Sequence, residues 1–169
     1  MSSIAYLSLG SNIGDRQTHL LEAIGRLKDL GMVRAISSFY ETEPVEFTDQ
    51  DWFLNCAVTL ETDKSPAQLI AALFQIEEQM GRLRIQKKGP RIIDIDILLF
   101  GDAVIRTKEL TIPHPAMTTR RFVLEPLAEI APNAIHPALN KTVQNLLEEL
   151  SPGQEVRRVS DGRRPTNEV

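Results

Sequence analysis

Asp94 and Asp96 stand two apart inside the apolar run Ile92-Ile93-Asp94-Ile95-Asp96-Ile97-Leu98-Leu99-Phe100. Alternate residues of a strand share a face, so both carboxylates are expected on one side and Ile93, Ile95, Ile97 and Leu99 on the other. Positions two apart lie roughly 6.6 Å apart along a strand, close enough for both carboxylates to converge on hard cations. Metal pairs in phosphoryl-transfer sites are spaced roughly 3.5–4 Å and are bridged by carboxylates of this kind. The plain alternative is a solvated strand face. Aspartate disfavours strands, and a residue set against its local preference tends to mark function.

A second group supplies the opposite charge. Arg82, Arg84, Lys87, Lys88 and Arg91 crowd the segment before the acidic strand, with Gly89-Pro90 as a turn, and His114, Arg120 and Arg121 follow Ile112-Pro113. Cations beside paired carboxylates suit a metal–polyphosphate: magnesium bridges phosphate oxygens to aspartate, while arginine and lysine neutralise the remaining charge. By itself such a run is as readily a solvated loop. His114, held between Pro113 and Pro115, lies outside any helix and could donate a hydrogen bond to a phosphate as neutral imidazole. No second clustered histidine or cysteine supports zinc, and no G-x-x-x-x-G-K-[ST] phosphate loop occurs. Gly10-Ser11-Asn12 reads as a plain turn rather than an anion site.

The elements that must position these groups follow from periodicity and punctuation. Ile4–Leu9 is expected as a strand, and Asp15–Leu30 as a helix with Leu20, Ile24, Leu27 and Leu30 on one face. Met32–Tyr40 and Trp52–Thr62 read as further strands, separated by a polar loop. Ser65, Pro66 and Gln68 form a capping box that opens a second helix, whose stripe is Leu69, Leu73, Ile76 and Met80, with Gly81 ending it. After the acidic strand come a hairpin partner near Ala103–Arg106, a short helix over Phe122–Ile130 and a last helix from Thr142 to Leu150. Val156–Val159 could add an edge strand. The order β-α-β-β-α-β is that of ferredoxin-like folds. The expectation is therefore an α+β architecture: an antiparallel sheet with helices packed on one face, plus C-terminal additions.

Length and charge narrow the classes. The 169 residues suffice for one domain with a real core, expected over 1–150, followed by a polar, mobile extension over 151–169. The net charge of −4 argues against general nucleic-acid affinity. The single Cys56, in an apolar run, excludes an intramolecular disulfide and reads as a buried structural thiol. With neither a targeting segment nor a membrane span in view, a cytoplasmic protein is expected, and a monomer is the working expectation.

Four ordered blocks then resemble one family. Gly89-Pro90-Arg91-Ile92-Ile93-Asp94-Ile95-Asp96-Ile97-Leu98-Leu99-Phe100 is similar to the signature of the 6-hydroxymethyl-7,8-dihydropterin pyrophosphokinases. Leu9-Gly10-Ser11-Asn12 precedes it, as does Ser37-Ser38-Phe39-Tyr40-Glu41-Thr42 with Phe53-Leu54-Asn55. Leu110-Thr111-Ile112-Pro113-His114-Pro115 with Arg120-Arg121-Phe122-Val123-Leu124 follows it, and the resemblance runs over roughly residues 4 to 150. It implies transfer of pyrophosphate from ATP to 6-hydroxymethyl-7,8-dihydropterin, giving AMP, in folate synthesis. By resemblance, Asp94 and Asp96 ligate two Mg2+ ions, with Asp94 also at the pterin. Arg82 and Arg91 hold the triphosphate and Arg84 guards it. Thr111, His114 and Arg120 are further ATP contacts. Phe53 and Phe122 sandwich the pterin, and Thr42, Asn55 and the backbone near Val45 meet its polar edge. Those roles are chemically apt, since a flat heteroaromatic ring gains from aromatic faces and its buried polar edge needs fixed partners. Without the resemblance, Phe53 and Phe122 read as ordinary core. Lys88 stands where some members carry tryptophan before Gly-Pro.

The implied reaction is an in-line attack of the pterin hydroxyl on the β-phosphorus of ATP, with no side chain committed as general base and catalysis resting on positioning and charge. Two other classes fit parts of the pattern. One is another magnesium-dependent nucleotide transferase. The other is a non-catalytic ferredoxin-like module such as an RNA binder, against which the acidic charge and the 5% aromatic content count.

Overall fold

A computed structural model describes residues 2–43, 52–81, 92–153 and 155–159. Five strands run in the order β10 (Val156–Arg158), β3 (Tyr40–Thr42), β4 (Phe53–Thr62), β1 (Ser3–Ser11) and β5 (Asp94–Phe100), and a sixth, β2 (Met32–Ile36), also pairs with β4. Every pairing is antiparallel. β2 and β3 lie end to end along one side of β4, so the order β5-β1-β4-β2/β3 is the ferredoxin-like one, with β10 added outside β3.

The single strand expected over Met32–Tyr40 is thus two. Its break falls at Ser37-Ser38, where serine chemistry replaces the ladder. Ser37 N–H donates to Ala57 O at 2.9 Å, and Ala57 N–H donates to Ser37 Oγ at 2.8 Å. A hydroxyl standing in for a backbone carbonyl lets the chain step sideways without orphaning a buried amide. The turn expected at Gly10-Ser11 is also absent. Both residues extend β1, because β4 and β5 offer partners on either side as far as Ser11 and Gly10 respectively.

Helix α1 (Arg16–Leu27) starts at Asp15, whose side chain accepts from Thr18 N–H at 3.1 Å. Helix α2 (Pro66–Gln79) opens on the expected reciprocal box between Ser65 and Gln68 and closes before Gly81, at φ +89°. Their apolar stripes, Leu20, Ala23, Ile24 and Leu27 with Leu69, Leu73 and Ile76, meet Leu7, Leu9, Leu54, Cys56, Val58, Ile93, Ile95 and Ile97 on one face of the sheet.

The expectation that helices cover one face only is corrected. Helix α3 (Arg121–Ile130) and helix α4 (Val143–Glu148) pack on the other face, burying Ala57, Leu98, Leu99, Met117, Val123, Leu124, Leu127, Val143 and Leu146. A bulge is the physical cause of the local pattern. Tyr6 pairs with Leu99 while Leu7 pairs with Ile97, so β5 carries one extra residue. Leu98 and Leu99 therefore both reach the second core, and Leu99 does not share a face with Ile93, Ile95 and Ile97 as strict alternation had it. The hairpin strand β6 (Ile105–Arg106) pairs with β7 (Thr111–Ile112), and β8 (Ile135–His136) with β9 (Lys141–Thr142). Between β7 and α3 runs a 3-10 turn, Met117–Thr119.

Candidate active site

Asp94 and Asp96 share the second face with Leu98, and both are only half-buried there. Antiparallel partners project to the same side, so the register assigns neighbours directly. Asp94 pairs with Gly10, Gly10 with Asn55, and Asn55 with Tyr40; two rungs further, Asp96 pairs with Ser8 and Ser8 with Ala57. Thr42 pairs with Phe53. Asp94, Asn55, Thr42 and Phe53, drawn from three strands, are thereby brought to one face.

Gly10 is the floor between them. A Cβ added there would lie 2.7 Å from Asn55 Oδ1 and 3.5 Å from Phe53 Cδ1, so only glycine lets the amide and the ring approach the strand this closely. Asn55 and Thr42 are both buried, and Asn55 Nδ2 donates to Thr42 Oγ1 at 2.8 Å. That bond orients the Asn55 carboxamide and fixes which polar atoms remain for a ligand. Phe53 is half-buried, with Phe122 from α3 half-buried against the second core.

His114 reaches the acidic rung from the β7–α3 connection. Its backbone N–H donates to Leu98 O at 2.9 Å, docking the segment onto β5, and the Ile112-Pro113 bond before it is cis. Ala116 N–H donates to His114 Nδ1 at 3.1 Å, so the neutral ring carries its proton on Nε2, which lies 4.0 Å from Asp96 Oδ1. Burial, aided by the Arg120 charge and opposed by Asp94, holds the imidazole below its ordinary pKa of 6.5. At neutral pH it is an N–H donor without formal charge. Arg120 occupies the position before α3 and lies over the Phe122 ring, 5.6 Å from its centroid, which sets a guanidinium beside the aromatic side of the site. Thr111, half-buried on β7, sits across from Arg106.

Asp94, Asp96, His114 and Arg120 thus form one electrostatic group, and Thr42, Phe53 and Asn55 adjoin it through the Gly10 rung. Arg82, Arg84, Arg91 and Val45 lie outside the described residues, as do Lys87 and Lys88. Among the described residues no three His, Cys, Asp or Glu side chains gather as a metal cage.

Sequence patterning had not singled out several supporting groups. Glu77, in the apolar stripe of α2, is buried and accepts from Ile95 N–H at 2.7 Å, holding the residue between the two aspartates. Glu129 of α3 accepts from Ser38 N–H at 3.0 Å, Ser38 Oγ at 3.0 Å and Tyr40 Oη at 2.7 Å. Burial and the Glu129 charge raise the Tyr40 pKa, keeping that phenol a donor. A glutamate inside an apolar helix stripe was the available signal for Glu77. Glu129 carried none, because its partners lie about ninety residues away.

These features define a class: a ferredoxin-like α+β domain whose site lies on a sheet face, at the strand ends its covering helices leave open. A sequence model of the 7,8-dihydro-6-hydroxymethylpterin-pyrophosphokinase family matches residues 6–132, and the chain belongs to that family. It is 49% identical over 132 residues to the 2-amino-4-hydroxy-6-hydroxymethyldihydropteridine pyrophosphokinase of Bacillus subtilis, covering 77% of this chain and 79% of that protein. It is 43% identical over 145 residues to a folic acid synthesis protein of Dictyostelium discoideum, covering 86% of this chain but only 22% of the length of that relative. A wild-type Plasmodium falciparum HPPK-DHPS structure with pteroate shares the fold, at a TM-score of 0.72 and 20% identity over 88% of this chain and 44% of the other. Among the described residues no helix is long and apolar enough to cross a membrane.

Proposed function

We propose that this chain transfers the pyrophosphoryl group of ATP to 6-hydroxymethyl-7,8-dihydropterin, forming the pterin diphosphate and AMP in folate biosynthesis. The observation that carries the reading is one rung of the sheet: Asp94, Gly10 and Asn55 side by side, with Asn55 hydrogen-bonded to Thr42. A phosphate-handling carboxylate and a buried, oriented amide are what a pterin carrying a reactive alcohol requires. Family membership supplies the acceptor's identity.

The acceptor ring would lie between Phe53 and Phe122, with its polar edge on Asn55, Thr42 and the backbone near Val45. ATP would be held by Arg82, Arg84, Arg91, Thr111, His114 and Arg120. His114 Nε2–H would donate to a phosphate oxygen, a role neutral imidazole fills without repelling Arg120. Magnesium fits the donor set, since it takes one or two carboxylates and completes its shell with water and substrate phosphate. Asp94 and Asp96 would hold two such ions, which when bound neutralise the phosphates. The pterin oxygen bonds to the β-phosphorus, the bond from that phosphorus to the α–β bridging oxygen breaks, AMP leaves and the hydroxyl proton is released. The chain's contribution is alignment and charge, with no committed base. The cytoplasm, which supplies ATP and magnesium, is the proposed compartment.

Asp96→Ala is expected to abolish AMP formation, by at least about a hundredfold, while its circular dichroism stays that of the parent. Near-normal magnesium-dependent turnover would overturn the metal assignment. AMP release that does not require the pterin alcohol would favour a different nucleotide transferase instead.

A further inference from the structure

The edge strand β10 joins the sheet beside the acceptor residues, and the ions around Glu41 and Arg157 fasten, from the opposite face, the two strand ends that carry them. Thr42 and Phe53 are register partners, and Val156 pairs with Thr42 from the outer edge. One residue along, Leu54, Glu41 and Arg157 form the adjacent rung, and Leu54 is packed in the α1/α2 core. Glu41 and Arg157 therefore face the back of the sheet. There Glu41 sits between two guanidiniums. Arg16, at the start of α1, donates from Nη2 to Glu41 Oε2 at 2.8 Å, and Arg157 Nη2 stands 3.4 Å from Glu41 Oε1. The same two arginines grip Trp52, the residue before Phe53. Arg16 Nη1 donates to Trp52 O at 2.6 Å, and the Arg157 guanidinium lies 4.3 Å from the centroid of the indole ring. Next to Thr42, Glu43 N–H donates to Glu155 O at 3.5 Å and Glu155 N–H donates to Glu43 Oε1 at 2.9 Å.

We infer that the Arg16–Glu41–Arg157 triad, with Trp52 held by its carbonyl and its ring, is a positioning device for the acceptor side of the site. Arg157 fixes β3 to the strand start bearing Phe53, and so sets the spacing of Thr42, Asn55 and Phe53 without touching the substrate. The inference rests on the pterin reading above. It assigns β10 a role in acceptor affinity rather than in nucleotide binding, because its contacts among the described residues include β3, Trp52 and Glu129.

The test uses the full-length chain with Arg157→Ala, Glu41→Gln and the double variant, and Lys141→Ala as a distant control that also breaks a surface ion pair. Steady-state AMP formation is measured against each substrate, and binding of a non-hydrolysable ATP analogue with magnesium is measured separately. The parent assay comes first: if the parent makes no AMP with the pterin alcohol, the functional reading itself fails. Given an active parent, each single variant is expected to raise KM for the pterin alcohol about five- to tenfold. Analogue affinity should stay within about twofold and kcat within about threefold of the parent. The double variant should raise the acceptor KM by clearly less than the product of the single effects, because the two side chains act through one contact. An unchanged acceptor KM, an equal loss of analogue affinity, or multiplicative single effects would each overturn the inference.

Discussion

At the scale of single residues, this site depends on a side chain that is missing. Gly10 is paired on both flanks, to Asn55 and Asp94, and its φ is not in the left-handed region. Its role is close approach, not backbone freedom. A methyl at 2.7 Å from Asn55 Oδ1 forces the carboxamide away from a position already fixed by Thr42. Gly10→Ala is therefore expected to raise KM for the pterin alcohol at least about tenfold, since small misplacements of bound groups are costly. The KM for ATP should hold, because the added methyl meets Asn55 and Phe53. Steady-state kinetics on both substrates checks this; an unchanged pterin KM would remove Asn55 from the acceptor pocket. The buried Cys56, whose thiol pKa burial drives upward, lies in the α1/α2 core.

At the scale of elements, the question is what keeps an edge strand in register while it carries two charges on one face. Among the described residues β5 ends the sheet, and Glu77 of α2 takes up the Ile95 N–H. Glu77→Ala is expected to cost about 1–3 kcal/mol, the usual range for a buried donor stripped of its acceptor. Glu77→Gln should recover most of it, because the amide oxygen can still accept. Ser65→Ala, which breaks only the α2 capping box, should cost about 1 kcal/mol and leave turnover alone. Urea denaturation with parallel activity assays separates the two. A loss of activity with Ser65→Ala matching that of Glu77→Ala would mean that α2 as a whole, and not the Glu77 contact, aligns the aspartates.

For the whole molecule, the cleanest consequence concerns pH. Burial holds both His114 and His136 below the ordinary value of 6.5. His136 is built into its hairpin, its Nδ1 accepting from Leu139 N–H at 3.2 Å. For a histidine with a lowered folded pKa, the unfolded chain binds the proton more readily, so stability rises with pH. The contribution is fully present above the unfolded value near 6.5. It is lost as pH falls from there through the folded pKa. Urea midpoints measured without nucleotide or metal are expected to be lower at pH 5 than at pH 7.5, and His136→Gln should shrink that difference. A midpoint that rises on acidification would contradict the burial-driven shift.

Much of this was legible along the chain because it is local. The capping box at Ser65–Gln68, the helix stripes and the ferredoxin-like order of elements depend on neighbours within a few residues. So does the pairing of Asp94 with Asp96 on one face, which only the two-residue period of a strand decides. The proposed acceptor residues were another matter: Thr42, Asn55 and Phe53 acquired meaning through resemblance, since thirteen residues and a strand reversal separate Thr42 from its partner Asn55. The tertiary structure alone decided the bulge that turns Leu99 to the second core, the serine-bridged break between β2 and β3, and the helices on both faces. It alone also brought Glu129 to Ser38 and Arg157 to Trp52. Each of these pairs groups far apart in sequence, and which buried donor meets which acceptor is fixed by packing rather than by periodicity.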